Sequence, residues 1–247
     1  MELSVRLQAV ADMVSKGRRV ADIGCDHGYV SIYLVRKKQC KKVIAMDVNP
    51  GPLERAQSNI RRFGLAHYIE TRLSDGTNAL EPGEADTLLL SGVGGRLTLR
   101  ILEEGIARLG QFEELILQPQ SEIYLVREFL REQGYLIADE EMVLDEGKFY
   151  QIIKAQPADK MLVDAYGEWA DISNASDSGQ CSSKQTVQMA ADYFGPVLLK
   201  KRPIVLKQFL QKEKEKTKSI LLQITDAERK QELEAYLTCV EFALTGQ

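Results

Sequence analysis

The 247-residue chain is poor in the residues that hold metals or disulfide frameworks: two histidines, His27 and His67, and four cysteines, Cys25, Cys40, Cys181 and Cys239. Cysteines this scattered, with no CxxC, exclude a disulfide scaffold and point to reduced thiols in a cytoplasmic protein. Two isolated histidines leave too few neighbouring ligands for a zinc site, so no metal is expected. No apolar run approaches the roughly 20 residues that span a bilayer, and no membrane partner is expected. Met1 to Lys16 alternates apolar and polar residues in a helical rhythm, unlike a secretory leader. The dinucleotide fingerprint GxGxxG is missing as well, which argues against a nicotinamide dehydrogenase. A net charge of −4 does not mark the whole chain as a nucleic-acid binder; a local basic patch decides that question.

What is present is an ordinary globular composition, 44% hydrophobic and 28% charged, at a length that suits one α/β domain with a smaller appendage. Leu3, Leu7, Val10 and Val14 open the chain as an amphipathic helix. Short apolar runs then alternate with helical stretches. Strands are expected at Val20–Ile23, Val43–Met46, Ile69–Leu73, Asp86–Leu90 and Leu115–Leu117. Helices fall between them, two closed by Gly64 and Gly110. This alternation predicts a mostly parallel twisted sheet covered on both faces. Tyr135–Leu144 and Phe149–Ala155 have no room for a helix between them, so an antiparallel hairpin ends the sheet. That ending suits the methyltransferase variant of the Rossmann-like fold. Beyond Pro157 the texture loosens: Ser173–Ser183 reads as a loop, and Pro203–Ile224 and Ala227–Leu244 read as a coiled-coil-like helical hairpin.

The chemistry sits at strand ends. Asp22-Ile23-Gly24-Cys25-Asp26-His27-Gly28 forms a glycine-containing turn after the first strand, where the backbone can approach a ligand closely. An acidic residue opening that turn suits a ligand carrying an ammonium, such as the methionine end of S-adenosylmethionine. Asp47, followed by Val48, ends the second strand, where a carboxylate accepts hydrogen bonds from ribose hydroxyls. Asp75-Gly76 follows the third strand, where a carboxylate meets an adenine amino group; the bland alternative is an Asp-Gly turn. Ser91-Gly92-Val93-Gly94-Gly95 follows the fourth, its glycines leaving space for a flat substrate. Gln118-Pro119-Gln120 closes the fifth beside the same pocket.

Ala21-Asp22-Ile23-Gly24-Cys25-Asp26-His27-Gly28-Tyr29, Ser91 to Gly95 and Leu115 to Pro119 together resemble the TrmK-like bacterial tRNA (adenine-22, N1) methyltransferases. Leu3-Ser4-Val5-Arg6-Leu7 and Phe194-Gly195-Pro196 look like that family too, so the resemblance covers essentially the whole chain. Cys25 stands where a serine is expected and Val93 where a methionine is expected. The resemblance implies a class I methyltransferase domain over residues 1–157, S-adenosylmethionine as cofactor, and a helical domain over 158–247 that helps hold tRNA.

Adenine N1 has an available lone pair at neutral pH, so the chemistry needs alignment more than a base. The product ring is cationic, and Asp26 is the carboxylate placed to stabilise it, with His27 and Tyr29 shaping the pocket. Ordering the cofactor loop is the other role open to Asp26. The absence of an (Asp/Asn/Ser)-Pro-Pro-(Tyr/Phe) motif at strand four favours a ring nitrogen over an exocyclic amine. Substrate contacts are expected from Gly94, Gly95, Arg96, Gln118 and Pro119. Lys212, Lys214 and Lys216, in the strongest basic segment, are expected to meet phosphates unless they form a solvated helix face. Arg100 and Arg61-Arg62 are further cations to weigh. A small-molecule methyltransferase is the competing enzyme reading; it needs an enclosed pocket and has no use for the basic helix.

Overall fold

The computed structural model describes residues 2–110, 112–158 and 181–245. It divides into two compact units, Met1–Ala158 and Asp159–Gln247. In the first, α1 (Val5–Met13) leads into β1 (Arg19–Ile23), α2 (Tyr29–Lys38), β2 (Lys42–Asp47), α3 (Pro50–Arg62) and β3 (Ile69–Leu73). Then come β4 (Thr87–Ser91), α4 (Gly95–Leu109), β5 (Glu114–Gln118), α5 (Ile123–Glu132) and the hairpin β6 (Tyr135–Asp145) and β7 (Lys148–Pro157).

Seven strands form one sheet in the order β3-β2-β1-β4-β5-β7-β6. The first five are parallel; β7 pairs antiparallel with both β5 and β6. The central strands β1, β2, β4 and β5 are buried along nearly their whole length because helices cover both faces, which is why they read as unbroken apolar runs. One face packs Val10, Ile32, Leu34 and Ile60 of α1–α3; the other packs Ile101, Leu102, Val126 and Leu130 of α4 and α5. Glu146 and Gly147, with φ of 48° and 77°, make the two-residue turn of the hairpin.

Strand order reverses between β1 and β4. The register sets Ile23 beside Met46 and Leu90, and Ser91 beside Gln118, so every loop singled out in the sequence leaves the same carboxyl edge. Such a reversal opens a crevice that a ligand can enter.

The second unit holds four helices among the described residues: α6 (Cys181–Phe194), α7 (Pro196–Lys201), α8 (Ile204–Leu221) and α9 (Ala227–Thr245). The expected hairpin corresponds to α8 and α9, but α6 also packs on α9, so this is more than a pair. Phe194 is fully buried, with Tyr236 5.9 Å away and Phe209 6.4 Å away, centroid to centroid. Of the expected loop, residues 173–180 lie outside the described residues, and Cys181–Ser183 are helical.

Candidate active site

The crevice at the sheet's carboxyl edge is a cleft of about 430 Å³. Its walls include Asp22, Gly24, Cys25, Asp26, His27, Tyr29, Asp47, Ser91 and Gly92, nine of the residues singled out above. Asp22 sits at the floor, only 2% exposed, and accepts a 2.6 Å hydrogen bond from Ser31 Oγ. Burial, reinforced by the nearby Asp47 carboxylate and opposed by the Ser31 bond, pushes Asp22 up to about 6. A buried carboxylate in this condition gains from a cationic partner. Asp47 is half-exposed at the end of β2, one oxygen held by the Asn49 amide at 2.9 Å.

The β1 turn differs from expectation in what it offers. The Gly24 and Cys25 amides both donate to the Met46 carbonyl, at 2.8 and 3.0 Å, so those N–H groups hold the turn rather than a ligand. Gly24, at φ 77°, has open space where a Cβ would stand, which leaves the backbone approachable. Gly28 has another task. Its Cβ would meet Ala56 Cβ at 3.1 Å, so it lets α2 and α3 pack and does not line the cleft. Cys25 is buried with its thiol pushed up by desolvation, and fills space as an apolar group. Asp26 is exposed at φ 47°, 3.5 Å from Arg55 Nη2 and 3.6 Å from His27 Nε2. The His27 and Tyr29 rings lie nearly parallel, 5.8 Å apart.

Other singled-out residues stand apart from the cleft walls. Val48 is exposed beyond Asp47. Asp75, after Ser74 and before Gly76, is held by Arg100 through two bonds of 2.7 and 3.1 Å, and that guanidinium keeps its carboxyl below the ordinary range. Arg96 pairs with Glu122 at 2.7 Å. The room expected at Gly94 and Gly95 is taken by protein: a Cβ at Gly95 would stand 2.3 Å from the Ser121 carbonyl oxygen, and one at Gly94 3.3 Å from Ser121 Oγ. Gly95→Ala therefore forces a backbone to move. It is expected to cost roughly 1–3 kcal/mol and to lower the melting temperature by roughly 3–10 °C, with a smaller loss for Gly94→Ala. An unchanged melting curve for Gly95→Ala would show that the Ser121 loop yields freely.

Gln118 and Pro119 are buried. The Gln118 amide oxygen accepts from Arg6 Nη1 at 2.9 Å, and it is Arg6 that faces the cleft. Arg6 also reaches Ser91 Oγ at 3.4 Å, lies 5.3 Å over the Tyr150 ring, and is anchored through its own amide to Asp145 Oδ2 at 3.0 Å. Among the described residues it is the one lysine or arginine on the cleft walls. Val93 and Gln120 join them. Sequence reasoning gave Arg6 no role; its place in the Leu3–Leu7 stretch was the available signal.

In the second unit the basic segment is partly matched from within. Lys214 and Lys218 share Glu241, at 2.9 and 3.3 Å, and Lys216 stands 3.7 Å from Glu213. Lys212 is exposed. Among the described residues no group of three His, Cys, Asp or Glu is placed to hold a metal ion, and no helix is long and apolar enough to cross a membrane.

A cleft with a buried carboxylate at the first strand, a second at the second strand and a cation opposite matches an adenosine with an amino-acid tail. Comparison with known proteins decides between the possible owners of such a cleft. A methyltransferase-domain family model matches residues 3–153. The tRNA (adenine(22)-N(1))-methyltransferase of Bacillus subtilis is 34% identical over 92% of this chain and 87% of its own length. This chain belongs to the tRNA (adenine(22)-N(1))-methyltransferase family. The crystal structure of the B. subtilis member, TrmK, superposes with a TM-score of 0.81 at 31% identity, over 98% of this chain and 99% of that one. Streptococcus pneumoniae Sp1610, solved in complex with S-adenosyl-L-methionine, superposes at 0.80 with 32% identity, over 98% of this chain and 100% of that one. Family membership accounts for the class I methyltransferase fold and for S-adenosylmethionine as the cofactor.

Proposed function

We propose that this chain, in the cytoplasm, transfers a methyl group from S-adenosylmethionine to N1 of adenine 22 in bacterial tRNA. The observation that carries the reading is that buried Asp22 and Arg6 line one cleft, in a chain of this family. Bound there, the cofactor supplies a methyl group on a positively charged sulfur. Asp22 would hold its ammonium, Arg6 its carboxylate and Asp47 its ribose hydroxyls. Cys25 would line the cleft beside that tail.

The residues named as catalytic act by placement. N1 lies on the Watson–Crick edge, so the target adenine leaves its stack to enter the cleft. His27 and Tyr29 present flat faces at the entrance, and Asp26 is the exposed carboxylate available to the ring as it becomes cationic. Arg55 keeps Asp26 from turning away. Asp26, Tyr29 and Gln120 are all exposed, so the cleft opens to solvent, against the enclosed pocket that a small-molecule methyltransferase needs. Residues 1–157 carry the transfer and 158–247 help hold tRNA, with Lys212, Lys214 and Lys216 as phosphate contacts once Glu241 and Glu213 release them.

The test is transfer of labelled methyl from S-adenosylmethionine to unmodified bacterial tRNA, followed by separation of the nucleosides. Label in N1-methyladenosine is the expected result. No label in any tRNA, despite demonstrable cofactor binding, would overturn the reading.

A further inference from the structure

A second groove, of about 460 Å³, adjoins the cleft through a shared residue, Tyr29. Its other walls are Glu2, Asn59, Arg62 and Phe63, from the N-terminal segment and the end of α3. Asn59 ties the two sites together, because its Nδ2 donates to the His27 carbonyl at 3.0 Å. The Phe63 ring carries the Arg36 guanidinium 5.6 Å from its centroid. Arg62 is exposed and makes no ion pair among the described residues. That sets it apart from Arg96 and Arg100, each held by a carboxylate, and from the matched lysines of α8.

We propose that this groove holds the phosphate of a nucleotide next to the target adenosine, with Arg62 as the cation that grips it. The inference rests on the tRNA-methylation reading and makes Arg62 a positioning residue for that substrate. An adenosine drawn into the cleft past Tyr29 remains joined to its neighbours, and their backbone must leave the cleft by an adjoining surface. The groove shares a wall with the entrance and offers the two things such a strand binds, an aromatic face and an unmatched guanidinium. Glu2 is the one acidic group on its walls, and it opposes a phosphate there.

Three substitutions test this, two of them of opposite expected sign. Binding of an unmodified bacterial tRNA transcript is measured by fluorescence anisotropy across a salt series. Arg62→Ala is expected to weaken binding about tenfold and to reduce the slope of log K against log salt by about 1. Arg62→Lys should restore the slope, and Glu2→Gln should tighten binding two- to threefold, by roughly the loss of one nearby like charge. Affinity for S-adenosylmethionine should stay unchanged in all three, which separates phosphate contact from damage to the fold. Wild-type affinity and slope in Arg62→Ala would overturn the inference while leaving the methylation reading intact. So would weakened binding with an unchanged slope that lysine fails to rescue. A wild-type protein that neither binds nor methylates tRNA would remove the parent reading and this one together.

Discussion

Asp22→Asn is expected to lose about 100-fold in affinity for S-adenosylmethionine while melting no lower than the unsubstituted protein. The two halves of this result have one cause. At pH 7 the Asp22 carboxylate is ionised in a site whose burial raises it to about 6, and among the described residues no lysine or arginine forms an ion pair with it. Holding that charge costs roughly 3 kcal/mol relative to the unfolded chain, at 1.36 kcal/mol per pH unit. Asparagine keeps an oxygen for Ser31 and removes the charge, and with it a charge-assisted contact worth roughly 1.5–3 kcal/mol to an ammonium.

The pH dependence follows with a definite sign. Because the folded protein holds this proton more tightly than the unfolded chain, the Asp22 contribution to stability is fully present below about 4 and is lost as pH rises through about 6. Ligand affinity runs the other way, rising with pH through the same range as the carboxylate ionises. Calorimetric titration at several pH values checks both. Asp22→Asn binding within threefold of the unsubstituted protein at pH 7.5 would remove Asp22 from the cofactor site.

Arg127→Met is expected to cost roughly 3–5 kcal/mol, the penalty for stranding a buried charge, and to lower the melting temperature by about 10 °C or more. Arg127 is 2% exposed, yet its guanidinium reaches Glu140 at 2.8 and 2.9 Å and Gln151 at 2.6 Å, joining α5 to both strands of the hairpin. Removing the arginine takes from wholly buried Glu140 the guanidinium that stands 2.8 Å away. Arg127→Met combined with Glu140→Leu should therefore recover most of the loss. Equal melting points for the single and double variants would rule out the stranded carboxylate as the cause.

The βα alternation was readable because each central strand is buried on both faces and so carries an uninterrupted apolar run, while Gly64 and Gly110 mark where helices stop. The hairpin was readable from Glu146-Gly147 and the absence of a helical stretch. Helix α6 was not. Among the described side chains its buried ones, Ala190, Ala191 and Phe194, crowd its second half, and the helix opens on the sequence Cys181-Ser182-Ser183-Lys184-Gln185, which offers no apolar period to read. In the cleft, Asp22, Asp47 and Ser91 were legible because strand ends in a parallel sheet share one edge whatever the packing. Arg6 was not, because its reach to Ser91 and Gln118 spans 85 and 112 residues and depends on where α1 docks. Gly28 and Gly95 were recognisable as special, but a missing Cβ makes room for whichever neighbour comes close, and here the neighbours are Ala56 and the Ser121 carbonyl.

The first helix is clasped at both ends by the last elements of its unit. The Arg6 amide is held by Asp145, and at the other end Lys154 Nζ donates to the Met13 carbonyl at 3.0 Å and to Ser15 Oγ at 2.8 Å. On a ribosome, this gives the cleft an order of completion. Residues 19–118 supply five strands and the first contacts of α1, through Ser91, Glu114 and Gln118, but the holds on it from Asp145 and Lys154 come only with the hairpin. A chain halted before the hairpin is made possesses Asp22, Asp47 and Arg6, but Arg6 is without its Asp145 anchor and the Tyr150 ring beneath its guanidinium. The wall of the cleft that carries Arg6 is thus among the last parts of the unit to be fixed in place.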